Sequence, residues 1–153
     1  MPTERHTFRA AAHLILEHEG NIFLLRRCNT GYSDGLYGLI AGHIDANEQA
    51  THAMAREAQE EAGIIIDPAD LVFVHVMHRR GDEINDRHER IDFFFKASKW
   101  QGTPKNNEPE KCDHADWFPL NNLPKNLVTY IPDLLKKIQN GQIFTEAGWN
   151  KTS

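Results

Sequence analysis

The stretch Gly42–Ile64, GHIDANEQATHAMAREAQEEAGI, constrains this chain more than any other. Wound at roughly 100° per residue, it sets Ala50, Ala53 and Met54 in one apolar stripe, the inward face of an amphipathic helix. That stripe runs on into Glu57 and Glu61, with Glu60 beside them. A solvated charge run belongs on the opposite face. Carboxylates crowded inward repel one another, and burying them unpaired is costly. The pattern therefore predicts a cation among them. Glu57 and Glu61 are related as i and i+4, which puts their side chains on one face about 6 Å apart along the axis. Magnesium takes hard oxygen ligands: one or two carboxylates, completed by water and phosphate oxygens. Such a site can hold more than one divalent ion, to screen a polyphosphate and activate water. Arg56, four residues before Glu60, is placed for an ion pair that orients that carboxylate. Three glutamates alone are equally consistent with a salt-bridged, solvated helix face; their inward placement favours the site.

A chain of 153 residues suits one domain, residues 1–153, with a sizeable core. The formal net charge of −5 argues against a nucleic acid polymer as partner. It leaves room for a small phosphate ligand, since bound metal ions invert local electrostatics. Cys28 and Cys112 form no CxxC pair, so a reduced, cytoplasmic setting is expected, with one bridge as the alternative. No run approaches the roughly 18 apolar residues of a membrane span. MPTERHTF carries no apolar signal core.

Along the chain, Phe8–Glu17 and Ile22–Arg27 read as strands of a hairpin turned at HEGN. CNTGYSDGLYG is a loop, a mobile lip without the Gly-Lys-Ser/Thr of a P-loop. Gly38–Ala41 is a short buried strand. The helix is expected from about Glu48 to Ala62, with Asp45, Asn47 and Glu48 as capping-type residues and Gly63 as the stop. Leu71–Met77 reads as a strand covered on both faces, and Ile91–Ala97 as a third long strand. Between them, HRRGDEINDRHER is expected to be a solvated hairpin connection, with its arginines within reach of a substrate as the alternative. GTPKNNEPEKCDHAD reads as a loop and Asp116–Leu120 as a short edge piece. Thr129–Asn140 forms a second helix. Strands, helix, strands, helix make a mixed α/β domain with helices covering a sheet.

The spacing inside the opening stretch is specific. Gly42 is followed after five residues by Glu48, after seven more by Arg56, and then by Glu57-Ala58-Gln59-Glu60-Glu61-Ala62-Gly63-Ile64. This resembles the Nudix hydrolase signature, Gly-x5-Glu-x7-Arg-Glu-U-x-Glu-Glu-x-Gly-U with U aliphatic. Every fixed position of the box, residues 42–64, is present. The resemblance implies an α/β/α sandwich with a mixed β-sheet. It also implies hydrolysis of a nucleoside diphosphate linked to a group X, with Mg2+ or Mn2+. Carried over by position, Glu57 and Glu61 are the main metal ligands. Glu60 is a further ligand or helps deprotonate water, and Gly42 brings a backbone carbonyl near the metal. Glu48 and Arg56 brace the loop and helix, while Gly63 allows the turn out. Many members approach the box through Trp-x-Leu-Pro-Gly-Gly; here Tyr37-Gly38-Leu39-Ile40-Ala41-Gly42 stands instead, so the shape of that loop does not carry over. Many relatives dimerise, which leaves a homodimer open.

Outside the box, ADP-ribose hydrolases commonly carry a proline about fifteen residues on, and diadenosine polyphosphate hydrolases a tyrosine slightly further. No proline lies between Pro68 and Pro104, and no tyrosine between Tyr37 and Tyr130. GTPKNNEPEKCDHADWFPLNNLP looks like the matching region of MutT-like nucleoside triphosphate pyrophosphohydrolases, in which a polar loop holds one more glutamate. Glu110 is the candidate for it, as extra ligand or general base, with Glu108 as the alternative. Arg26 and Arg27, ending the second strand, are candidates for holding phosphate, as is His43. His75 and His78 read as core or rim residues, with no third ligand for zinc. Phe93 and Phe95 share a face and read as core. The leading expectation is hydrolysis of a nucleoside triphosphate, modified or not, to monophosphate and pyrophosphate. Hydrolysis of another nucleoside diphosphate derivative, such as a nucleotide sugar, is the alternative within enzymes. A catalytically silent nucleotide sensor is the alternative outside them.

Overall fold

The computed structural model describes residues 3–81 and 89–149. The strands are β1 (Arg9–Ile15), β2 (Glu17–His18), β3 (Asn21–Arg27), β4 (Tyr37–Gly38), β5 (Ile40–His43), β6 (Leu71–Arg80), β7 (Glu89–Ala97), β8 (Cys112–Pro119) and β9 (Phe144–Ala147). The helices are α1 (Ala50–Ala62) and α2 (Ile131–Gln139). One sheet runs β5-β1-β7-β6-β9; the other is built on β3, which pairs with β2, β4 and β8. The first sheet is mixed, because β1–β7 and β6–β9 are parallel and its other pairs antiparallel.

Strand alternation divides the core in two. Ala12, Leu14, Phe23, Leu25 and Phe95 pack with Met54, Ala58 and Ala62 of α1. Ile15, Ile22, Leu24, Met77 and Phe94 pack with Ile131 and Leu134 of α2. Because neighbouring strand residues point to opposite faces, the sheets are sandwiched between the two helices, giving the α/β/α arrangement. Phe95 and Phe93 both belong to the α1 side.

Several local expectations are corrected. Phe8–Glu17 is not one arm of a simple hairpin. β1 belongs to the first sheet, and the chain changes sheets before β2 pairs with β3. An unbroken apolar run hides such a crossing because both sheets bury it. α1 begins after Gln49, whose side chain makes no cap, and its first turn carries no acid. Glu48 is engaged elsewhere, as described below. The opening of β6 is not covered on both faces: Val72 and Phe73 are 58% and 46% exposed. β9 joins β6 only along Val76–Arg79, so the preceding half of β6 is left at the sheet edge. β8 starts at Cys112, inside the segment expected to be loop, because it pairs along all of β3. β9 itself was not expected. The connection expected across His78–Arg90 falls largely on residues 82–88, outside the described residues; His78–Arg80 continue β6, and Glu89 and Arg90 open β7. Cys28 and Cys112 are free thiols. No helix among the described residues is long and apolar enough to cross a membrane.

Candidate active site

Ala53, Met54, Ala58 and Ala62 are fully buried, and they fix the rotation of α1 over β5 and β1. That rotation turns Glu57 and Glu61 toward β5. A Cβ built on Gly42 would overlap the carboxyl carbon and Oε1 of Glu57. Only glycine lets the Glu57 side chain lie on the strand there. Glu61 Oε2 accepts the Ala41 N–H at 3.1 Å. Glu57 is 13% exposed and Glu60 50%, so the acidic face runs from the strand outward. Gly63, at φ 68°, takes the left-handed conformation that ends the helix, donating its N–H to Gln59.

Arg56 is the cation among these acids. Its Nε and Nη2 hold Glu48 in a two-pronged bond at 2.7 and 3.0 Å. Nη1 donates to Glu57 at 2.8 Å and lies 3.3 Å from Glu60, while Nη2 also reaches the His43 carbonyl at 3.0 Å. Glu48 and Glu57 are thus its principal partners, and the expected Arg56–Glu60 pair is the looser contact. Planar forked bonding of this kind is strong and directional. It holds Glu48 at about 2, well below the usual carboxylate range, with the Asp45 N–H adding to the effect. Glu57 is raised, because burial outweighs Arg56. Burial pushes the Glu61 carboxyl up to about 8, with Glu57 and Glu108 adding to it against the Ala41 N–H.

Glu108, not Glu110, completes this acidic wall. A cavity of about 410 Å3 is lined by Glu57, Glu60, Glu61 and Glu108, and Glu110 is absent from its lining. The loop before β8 is sewn to the end of α1. Lys105 and Asn107 donate backbone N–H groups to Ala62 and Glu61. Asn107 Nδ2 bonds the carbonyls of Gln59 and Glu60 at 3.1 and 3.2 Å. These bonds satisfy carbonyls that a helix end leaves open, and they bring residue 108 to the acids. Glu110 is exposed and turns only its carbonyl toward Asn29, at 3.4 Å.

The remaining candidates divide. Arg27 lines the cavity, with Nε donating to the Tyr32 carbonyl at 2.8 Å. Arg26 lies outside the lining; it is bonded to Asp113 at 2.6 Å and set over the Tyr37 ring. His43 lines the cavity, and burial, followed by the charges of Arg9 and Arg90, lowers its pKa. His75 is buried on the Gln142 carbonyl and the Thr145 hydroxyl, while His78 bonds Glu89.

Arg79 and Arg90, from the segment whose arginines were expected within reach of a substrate, line the same cavity; sequence reasoning missed Tyr32, which also lines it, and Asp92, which is wholly buried beneath it. Asp92 accepts from His13 Nε2 and Arg79 Nε, both at 2.9 Å. An acid two positions from Phe94 in IDFFF shares that residue's core face by strand alternation, which is the signal that would have found it.

The donor set suits a hard divalent cation: every candidate ligand is a carboxylate or carbonyl oxygen. Burial also raises two of the acids, a cost that an added cation relieves. Among the described residues, no three such side chains converge into a closed metal cage; Arg56 draws one oxygen of Glu57, and the Ala41 N–H one of Glu61.

Comparison with known proteins agrees with this geometry. Residues 6–138 match the NUDIX domain. The chain is 31% identical to an ADP-ribose pyrophosphatase of Methanocaldococcus jannaschii, covering 72% of this chain and 62% of that one. It is 29% identical to an 8-oxo-dGTP diphosphatase of Proteus vulgaris, covering 64% and 82%. The crystal structure of a MutT NUDIX hydrolase from Burkholderia pseudomallei superposes with a TM-score of 0.76 at 24% identity, over 86% of this chain and 98% of that one. The chain spans 37% and 62% of the length of two of the curated relatives it matches. With the matched residues taking in the whole box from Gly42 to Ile64, the chain belongs to the NUDIX domain family.

Proposed function

We propose that this domain hydrolyses a phosphoanhydride bond in a nucleotide derivative, with Mg2+ or Mn2+ held by Glu57, Glu61 and Glu60 and by the Gly42 carbonyl. The leading substrate is a nucleoside triphosphate, cleaved with water to the monophosphate and pyrophosphate. The observation that carries this reading is the convergence of Glu57, Glu60, Glu61 and Glu108 on one cavity, with Glu57 seated against Gly42. The diphosphatase relative from Proteus vulgaris supports the triphosphate. The ADP-ribose pyrophosphatase relative supports the second reading, a nucleoside diphosphate derivative.

When bound, the divalent ion supplies charge neutralisation on the pyrophosphate and lowers the pKa of its water. The residues of the chain do the rest. Arg56 bonds Glu48, Glu57 and the His43 carbonyl together, fixing the helix to the strand end. Glu108, set at the cavity by Asn107, takes the proton of the attacking water. In-line attack on one phosphorus then breaks its anhydride P–O bond, and the bridging oxygen keeps the electron pair on the departing nucleotide or pyrophosphate group. Arg27 binds a phosphate oxygen through the nitrogens its Tyr32 bond leaves over. Arg26, committed to Asp113, supports the second strand rather than the substrate.

A nucleotide panel assayed with magnesium for formation of the nucleoside monophosphate, with pyrophosphate measured alongside, tests the proposal. Pyrophosphate from a triphosphate is the expected result. Turnover only of nucleoside diphosphate derivatives moves the substrate to the second reading. Binding without turnover across the panel would leave a nucleotide sensor and overturn the enzyme.

A further inference from the structure

His13 of β1 is a polar side chain that the box does not use. The residue is 7% exposed and lines the cavity that holds the acids. Its ring stacks on Phe94, with centroids 4.7 Å apart, and Nε2 bonds Asp92 at 2.9 Å. Nδ1 makes no hydrogen bond among the described residues, yet it is not sealed from solvent. With so little of the residue exposed, its opening is the cavity it lines.

Asp92 decides what that nitrogen offers. His13 and Arg79 hold the carboxylate ionised, and an ionised carboxylate only accepts hydrogen bonds. The proton of the neutral imidazole must therefore lie on Nε2, which leaves a lone pair on Nδ1. Ala11, Leu39, Ala41 and Val128 line the same cavity with apolar side chains. In such a setting, a ligand that displaces the water on Nδ1 without replacing its hydrogen bond loses affinity. A carbonyl oxygen set against the lone pair repels it, whereas an N–H or O–H restores the bond.

Strand alternation relates His13 to the acids. His13 stands opposite Ala41, and Ala12 opposite Gly42. His13 and Ala41 thus share one face of the sheet, while Gly42, with Glu57 against it, takes the other. β5 is the edge strand of that sheet, and residues of both faces line one cavity. A nucleotide with its phosphates at the acids brings its nucleoside to His13 by passing β5 at Ala41 and Gly42, where the side chains are a methyl group and a hydrogen.

We propose that His13 is a specificity-determining residue: its Nδ1 accepts a hydrogen bond from a donor on the nucleoside moiety, a base N–H or a ribose hydroxyl, and selects substrates that carry it. This rests on the nucleotide-hydrolase reading and narrows its substrate class.

The test reads binding apart from turnover. Uncharged nucleosides are not repelled by the acids. The metal-free protein is titrated with adenosine, cytidine, guanosine and uridine, and the nitrogen resonances of isotope-labelled histidine are followed. At alkaline pH, His13 is expected to carry a proton on Nε2 and none on Nδ1, and the nucleoside that binds tightest is expected to shift Nδ1. That nucleoside is then compared with forms lacking one donor. These are purine riboside for adenosine, pyrimidinone riboside for cytidine, inosine for guanosine and N3-methyluridine for uridine, and in each case the 2′-deoxy and 3′-deoxy forms. One deletion is expected to weaken binding about tenfold, the worth of one hydrogen bond to an acceptor otherwise left bare. Loss on the base analogue assigns the donor to the base, and loss on a deoxy form to the sugar. His13→Gln keeps an amide N–H for Asp92 but puts no acceptor at the Nδ1 position, and is expected to remove the difference. Should it fail to fold, the ligand series and the Nδ1 resonance of the parent decide. With magnesium, the same deletion in the nucleotide turned over is expected to raise KM with kcat unchanged. A proton on Nδ1 at alkaline pH, an Nδ1 resonance that no nucleoside moves, a ligand series without a weakened member, or the same loss in His13→Gln overturns the contact. A loss in binding that depends on His13, without turnover of any nucleotide, supports the contact and counts against the hydrolase. Turnover with no such dependence keeps the hydrolase and overturns the contact.

Discussion

Gly42→Ala is the sharpest perturbation of the acidic wall, because the added atom meets a single side chain. A Cβ at this position would overlap the Glu57 carboxyl and stand 2.5 Å from its Cγ. Carbon atoms in contact sit at about 3.5–4.0 Å, so Cγ must withdraw by about 1 Å and the carboxyl further. The strand cannot yield easily, since Gly42 is paired with Ala12 of β1. Glu57 must therefore turn off the strand and give up its 2.8 Å bond to Arg56. Displacing a positioned group by about 1 Å costs on the order of 100-fold in rate. Stability changes less. Losing a charge-assisted bond costs about 1.5–3 kcal/mol. Replacing glycine at an ordinary backbone angle returns about 0.4–1 kcal/mol through the unfolded state. A net loss of about 1–2 kcal/mol lowers Tm by a few degrees in a chain of this size.

The assay is formation of the nucleoside monophosphate with magnesium from whichever substrate the parent turns over, alongside thermal unfolding. Adding Gly42→Ala to Glu57→Ala should cost nothing further, because the clash is then gone. Parental turnover by a folded Gly42→Ala protein would refute the seating of Glu57 as the basis of the site.

Glu61→Gln should cut turnover more than 100-fold, as loss of a charge-stabilising ligand does. Metal-free stability should hold at pH 7, where a carboxyl raised to about 8 is mostly protonated, and rise at higher pH, where the amide carries no charge to bury; a large fall in Tm in EDTA would contradict this. Glu108→Gln is expected to lower kcat by about 100-fold or more, the worth of a general base, and Glu110→Gln to leave it within about twofold; the reverse ranking in steady-state kinetics would return the role to Glu110. Asp92 gives a stability prediction. Burial alone would raise its pKa, but His13 and Arg79 more than offset this and hold it at about 2, against an ordinary 3.8. Its contribution of about 2 kcal/mol is present above the unfolded value and lost as pH falls from about 4 through 2. Urea unfolding between pH 2 and 7 should show this slope, and Asp92→Asn should flatten it while lowering stability at pH 7. Gly63→Ala should cost about 1–2 kcal/mol, because φ is 68° and the new Cβ meets Lys105 Cε at 2.9 Å; unchanged urea stability would contradict it.

What the sequence reveals and what it hides follow the range of the interactions. The box is readable because Ala53, Met54, Ala58 and Ala62 repeat at helical spacing, so the acids on the same face inherit a known direction. Glu108 and Glu110 are two residues apart, and no local periodicity ranks them. The choice is made by Asn107 bonding the carbonyls of Gln59 and Glu60, nearly fifty residues away in sequence. β9 is short and pairs in parallel with β6 from far along the chain, which leaves almost no local signal. The arginine row is hidden for the same reason. Arg9, Arg79 and Arg90 become neighbours only through the registers of three strands, and a shift of one residue in any of them would send that side chain to the opposite face. The two walls of the cavity therefore differ in origin. The acidic wall is written within one helix and survives as a local pattern. The arginine row exists only in the assembled sheet, so substitutions in β6 or β7 that change register without touching Asp92 should break its bonds to His13 and Arg79, and flatten the acid slope of urea stability, before they alter the chemistry of the box.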